Sequence, residues 1–160
     1  MTVVCNTGPL IALAKTDHLW VFEQLFGKVI IPDVVQHELL AKFGIESERL
    51  DRALSVFIEA QDAVEKSTIV ELATEGLDAG ERDAIALAYL LKLPLIIDDR
   101  LGRKAAQSLG ITVSGVVGVL VAARLQGLIP SASQVAMMMR EQGYWLSDAL
   151  IAYARQEEPA

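Results

Sequence analysis

The chain has 160 residues, 52% hydrophobic and 22% charged, which suits one full-sized core and excludes a disordered or low-complexity protein. Its single cysteine, Cys5, excludes an internal disulfide framework and fits a reducing setting; within the apolar run TVVC it reads as a small buried hydrophobe. The net charge of −7 argues against a general nucleic-acid binder with a basic face, so any such role must rest on local charge.

The N-terminus lacks the charged start, long apolar stretch and cleavage site of a signal peptide, so the protein is expected in the cytoplasm. Val3-Val4-Cys5 is too short for a helix and reads as a strand. Asn6 or Thr7 can cap the helix that follows, and Pro9 suits its first turn. Leu10 to Ala14 reads helical, and Asp17 offers a cap for a second helix from His18 to Phe26, stopped by Gly27. Val29-Ile30-Ile31 is a second buried strand. Pro32-Asp33 opens a helix through Phe43 that Gly44 closes. From Ser47 or Glu48, Leu50, Ala53, Leu54, Phe57 and Ile58 follow helical spacing. A weak strand is expected near Ala63-Val64, then a short helix holding Ile69, Val70 and Leu72. Asp78 opens a helix that is apolar almost all round from Ala84 to Leu91. Lys92 and Pro94 separate it from the strand Leu95-Ile96-Ile97, so the region AIALAYLLKLPLII is no membrane span. Asp98-Asp99 caps a helix to Leu109, ended by Gly110. Ile111-Thr112-Val113 reads as a strand, and 116–126, 133–142 and 147–155 as three closing helices. No repeat and no linker interrupts the chain, so 1–160 is expected to be one domain.

Strands alternating with helices imply parallel strands joined by right-handed crossovers, an open sheet with helices on both faces. In such sheets ligands bind beyond the C-terminal strand ends, where the strand order reverses. That rule selects Asn6 after the first strand and Asp98 and Asp99 after the Leu95–Ile97 strand. Glu81, in the first turn of the helix before that strand, and Glu38, inside the helix after the second strand, can reach the same crevice. Clustered hard oxygen donors suit Mg²⁺ or Mn²⁺, and such ions assist displacement at phosphorus. Each residue also has an ordinary structural role. Asn6, Asp98 and Asp99 are good N-caps, Asp78 with Glu81 matches a capping box, and Glu38 can be a plain helix residue. Glu38 stands out because Val34, Val35, Leu39 and Leu40 around it are apolar. Arg100, Arg103 and Lys104 form the only tight basic group, a phosphate-binding patch or a solvated helix face. His18 and His37 have no metal-ligand spacing. Met137–Met139 read as a packed helix face, and Tyr144 and Trp145 as aromatics buried against the sheet in preference to base-stacking groups.

The segments VVCNTGPLIALAK, VIIPDVVQHELL, LDAGERDAIALAYLLKLPLIIDDRLGRKAAQSLGI, VSGVVGVLVAARLQGLI and GYWLSDAL together resemble a bacterial and archaeal branch of the PIN-domain family, which includes the toxin ribonucleases of toxin–antitoxin pairs. The resemblance spans nearly the whole chain, and GERDAIALA with LIIDDR carries it most. It implies an α/β protein, a three-layer α/β/α fold with a short, mostly parallel central sheet flanked by helices. It also implies an acidic quartet that falls on Asn6, Glu38, Glu81 and Asp99, with Asp98 an adjacent candidate and Thr7 assisting. Asn6 departs from that pattern, because an amide offers one neutral carbonyl oxygen where a carboxylate offers two charged ones.

Two functions follow as expectations. One is a Mg²⁺- or Mn²⁺-dependent endoribonuclease, the toxin of a toxin–antitoxin pair. In it Asn6, Glu81 and Asp98 or Asp99 hold metal, Glu38 handles a proton, and Arg100, Arg103 and Lys104 bind RNA. The resemblance adds a small antitoxin partner and a homodimer. The other is a catalytically weak or inactive PIN-like module that binds protein or RNA without cutting, which Asn6 and the acidic balance favour.

Overall fold

A computed structural model describes residues 1–42, 44–156 and 158. Among the described residues five strands and ten helices follow one another as β1 (Val3–Cys5), α1 (Thr7–Lys15), α2 (Trp20–Phe26), β2 (Val29–Pro32), α3 (Asp33–Leu40), α4 (Ile45–Val56), β3 (Ile58–Gln61), α5 (Thr68–Ala73), α6 (Ala79–Leu91), β4 (Leu95–Ile96), α7 (Arg100–Ser108), β5 (Val113–Ser114), α8 (Val116–Leu125), α9 (Ala132–Glu141) and α10 (Asp148–Gln156). The strands form one sheet in the order β3-β2-β1-β4-β5, with every neighbouring pair parallel. The sheet is therefore parallel throughout, where the sequence led us to expect it to be mostly so.

Strand residues alternate between two cores. Val3, Cys5, Val29, Ile31, Ile58 and Ile96 pack on one face with apolar residues of α1, α8 and α9. Val4, Ile30, Leu95 and Ile97 pack on the other against Ala84, Ile85 and Leu87 of α6 and Ala106 of α7. Both faces are covered, which is why the central strands read as unbroken apolar runs. The result is the three-layer α/β/α arrangement. Among the described residues no helix is long and apolar enough to cross a membrane.

Several boundaries differ from the sequence reading. The third strand is Ile58–Gln61, and Ala63-Val64 lies outside the sheet. Phe57 and Ile58 continue the helical spacing of α4, but that helix stops at Val56 and Ile58 pairs with Val29 instead. As an edge strand, β3 buries only Ile58, so it lacks the continuous apolar signal of its neighbours. The last strand is Val113–Ser114, later than expected. Asp17 caps nothing: it has φ +58°, and α2 starts at Trp20 without a side-chain cap. Helix α3 ends at Leu40, and its expected end at Phe43 lies outside the described residues.

The order places β1 at the centre. The chain builds outward through β2 and β3 on one side, then returns to add β4 and β5 on the other. The reversal lies between β1 and β4, and its crevice opens where Asn6 and the Asp98–Asp99 pair leave the sheet.

Candidate active site

Asn6 holds the crevice from the β1 side. Its backbone N–H donates to the Ile96 carbonyl at 3.0 Å, which locks it beside β4. It occupies the N-cap position of α1 in extended geometry, yet its side chain makes no capping hydrogen bond. The amide is thus not consumed by the structural role that best explains an Asn at this position.

Glu38 arrives from α3. The Thr7 hydroxyl donates to Glu38 Oε2 at 2.5 Å, tying the residue after Asn6 to this carboxylate. The second Glu38 oxygen reaches the start of α6 over Gly80. A Cβ on Gly80 would stand 2.7 Å from Glu38 Oε1 and 3.5 Å from both Asn6 Oδ1 and Asp78 Oδ1. The hydrogen atom at Gly80 therefore opens a small cradle in which three side-chain oxygens from different elements face one point.

Glu81 follows Gly80 within a complete capping box. Its N–H donates to Asp78 Oδ1 at 2.8 Å, and its Oε2 accepts from the Asp78 N–H at 3.2 Å. The ordinary role of Glu81 is therefore realised. Its carboxyl is nonetheless held above the usual carboxylate range, first by desolvation, then by the charges of Asp78 and Asp99, against the Asp78 N–H, which lowers it. Asp99 thus lies close enough for its charge to be felt at Glu81.

The two adjacent aspartates do different work. Asp99 caps α7, its Oδ2 accepting from the Gly102 N–H at 2.7 Å, and it remains exposed. Asp98 turns inward. Its Oδ1 accepts from the Val116 N–H at 2.8 Å at the start of α8, and its Oδ2 accepts a short hydrogen bond from the Tyr144 hydroxyl. Burial raises the Asp98 carboxyl above its ordinary range, while Tyr144, Val116 and the nearby Arg103 oppose that rise. Tyr144 fits because Gly8 has no side chain: a Cβ there would meet the Tyr144 hydroxyl at 2.8 Å.

Arg100, Arg103 and Lys104 line one cleft of about 1300 Å³ that begins at Asp98 and Asp99 and runs between α7 and α10. Trp145, expected against the sheet, instead lines this cleft and is 79% exposed. His18 bonds the Thr16 carbonyl, and His37 lies exposed on α3. Of Met137, Met138 and Met139 only Met139 is buried. Sequence reasoning passed over Gly80 and Tyr144 as site residues. The first had a faint signal, a glycine in the opening turn of an otherwise strong helix; the second had none.

Among the described residues, no three Asp, Glu, His or Cys side chains form a ready-made metal cage. The donors at the crevice are an amide and carboxylates, all hard oxygens, and the cradle over Gly80 is open. That set fits Mg²⁺ or Mn²⁺ held by one or two carboxylates with several waters, and does not fit a closed all-protein cage.

The family DUF3368, described as a PIN domain, matches residues 2–158, and the chain belongs to it. Among curated proteins none matches the chain. Among solved structures the chain is similar to a PilT N-terminus domain protein, SSO1118, from the hyperthermophilic archaeon Sulfolobus solfataricus P2. The TM-score is 0.57 at 20% identity, covering 77% of this chain and 93% of that one. That likeness is one of fold.

Proposed function

We propose that this chain is a metal-dependent endoribonuclease of the PIN type. The observation that carries the reading is the meeting of Asn6 and Glu38 oxygens over Gly80, at the reversal of strand order, with Glu81 next in the chain and the charge of Asp99 felt at Glu81. Asn6, Glu81 and Asp99 would hold Mg²⁺ or Mn²⁺, with Asp98 kept beneath them by Tyr144 and Val116. A bound ion would supply Lewis acidity and charge neutralisation at a phosphodiester. Glu38 accepts a hydrogen bond from Thr7, which orients its carboxylate so that the other oxygen can take a proton from an attacking water. Arg100, Arg103 and Lys104 hold phosphates along the cleft. The resemblance alone supports a role as the toxin of a toxin–antitoxin pair, a small antitoxin partner and a homodimer, and the lone free cysteine fits a cytoplasmic setting.

The second reading is a PIN-like module that binds RNA or protein without cutting. It is favoured by the engagement of Glu38, Glu81 and Asp99 with protein donors and by the neutral Asn6. Incubation with labelled single-stranded RNA and Mn²⁺ separates the two. Cleavage abolished by chelator and by Glu38→Gln supports the nuclease, and intact RNA at saturating Mn²⁺ sinks it.

A further inference from the structure

The cleft leading away from Asp98 and Asp99 has two unlike walls. One is a single face of α7, where Arg100, Arg103, Lys104 and Gln107 recur at i, i+3, i+4 and i+7. The helix RLGRKAAQS carries no acidic residue, and among the described residues Arg100 and Lys104 make no ion pair. In a chain of net charge −7 Arg100 and Lys104 make a local cationic strip, while Arg103 between them donates to the Ile97 carbonyl at 3.3 Å and lies near Asp98. The other wall is Trp145 with Leu150 and Tyr153 of α10.

Trp145 is not exposed because its loop is slack. Tyr144 before it is pinned by its hydroxyl on Asp98 and by its N–H on the Met139 carbonyl at 2.9 Å. Leu146 after it is only 2% exposed, while the indole between them is 79% exposed. Both neighbours are anchored, so the backbone that carries the ring is fixed and presents the indole to the cleft. An exposed aromatic ring on anchored backbone, across from a row of cations, matches a polymer that alternates flat bases with phosphates.

We infer that this cleft binds single-stranded RNA, stacking a base on Trp145 and laying the sugar–phosphate backbone along Arg100, Arg103 and Lys104. The assignment of the strand as RNA rests on the nuclease reading. A duplex is a poor occupant because its base faces are hidden in the stack. Tyr153 extends the aromatic wall, so the strand runs along α10 as it leaves Asp98 and Asp99.

The test uses the full chain carrying Trp20→Phe, which leaves Trp145 as the only indole. Its fluorescence is titrated with an unstructured RNA oligonucleotide and with the same sequence as a duplex, in chelator and again with Ca²⁺. The single strand should quench the signal in at least one condition, and the duplex should do so weakly. In the otherwise unaltered chain, Trp145→Ala should weaken binding roughly 5- to 150-fold, the span expected for one stacked base, while Trp145→Phe retains most of it. Arg100→Ala and Lys104→Ala should each lower the salt slope of log K by about 0.7. No quenching in either condition, or RNA affinity unchanged by Trp145→Ala, overturns the inference, as does tighter binding of an acidic peptide than of RNA in the same cleft. RNA cleavage unaffected by Trp145→Ala would leave the nuclease standing without this cleft. Stacking on Trp145 without cleavage at any metal concentration would leave the cleft standing without the nuclease.

Discussion

Asn6 and Glu38, one closing the first strand and the other inside α3, face each other across the missing side chain of Gly80. The Glu38 oxygen lies 2.7 Å, and the Asn6 oxygen 3.5 Å, from the position a Cβ would take. Gly80→Ala therefore separates stability from function. Alanine is favoured over glycine by about 1 kcal/mol in a helix interior and by less in the opening turn where Gly80 lies, and the atom it meets is the end of a movable side chain. The variant should melt at or above the parent temperature. It should also push Glu38 off Thr7 and lose at least tenfold in Mn²⁺-dependent cleavage. A stable variant that cleaves at the parental rate would show that the cradle has no part in the chemistry.

Asn6→Asp probes the same cradle from the other side. A new carboxylate near Glu38 and Glu81 repels them without metal and attracts a divalent ion when one is present. At 4 Å and an effective dielectric of 20, two unit charges interact by about 4 kcal/mol before desolvation. The variant should bind Mn²⁺ more tightly, cleave RNA at lower metal concentration, and melt lower in chelator. Because the Asn6 side chain caps nothing, no gain from better capping should mask these changes. Calorimetric titration of both forms with paired melts decides it. Equal affinity with an unchanged melting point in chelator would remove Asn6 from the site.

The raised Glu81 carboxyl gives a pH signature. A group that holds its proton more tightly when folded binds more protons in the native than in the unfolded state. Its stabilising effect is present at low pH and lost as pH rises from its ordinary value of 4.5 through the raised folded value. Glu81→Gln retains the reciprocal cap and removes the titration. In chelator, the stability difference between parent and variant should therefore move in favour of Gln as pH climbs through that window. Saturating Mn²⁺ should reverse the trend. Parallel pH–stability curves would leave Glu81 a cap and nothing more.

Asp98 and Asp99 should part company under amide substitution. Asp99→Asn keeps an equivalent N-cap, so the fold should be nearly untouched while Mn²⁺ affinity falls. Asp98→Asn removes the charge that Tyr144, Val116 and Arg103 surround, and Tyr144→Phe removes one donor to it. Each should cost about 1.5–3 kcal/mol in denaturant melts, the range for a hydrogen bond to a charged group. A metal-affinity loss in Asp98→Asn with none in Asp99→Asn would exchange their roles.

What the sequence determined by itself is local. Val3–Cys5, Val29–Ile31 and Leu95–Ile97 announce buried parallel strands because both of their faces must be apolar. Asp78 with Glu81, and Asp99, announce helix starts because a cap is satisfied within three residues. Even the crevice was legible, since parallel strands share one C-terminal edge and only a few polar residues stand there. The edge strand Ile58–Gln61 was not, because it buries one face only and its first residue keeps step with the preceding helix. Tertiary structure alone decided the rest. Thr7 meets Glu38 31 residues away, and Tyr144 meets Asp98 46 residues away. The second contact turns Asp98 inward and leaves Asp99 outside. With Leu146 it also fixes the chain on either side of Trp145 and holds the indole in the cleft, though an apolar ring in such a sequence is expected inside. Side chains of the same type, one residue apart, differ here only in what the folded chain brings to them, and no periodicity or cap within either segment encodes that.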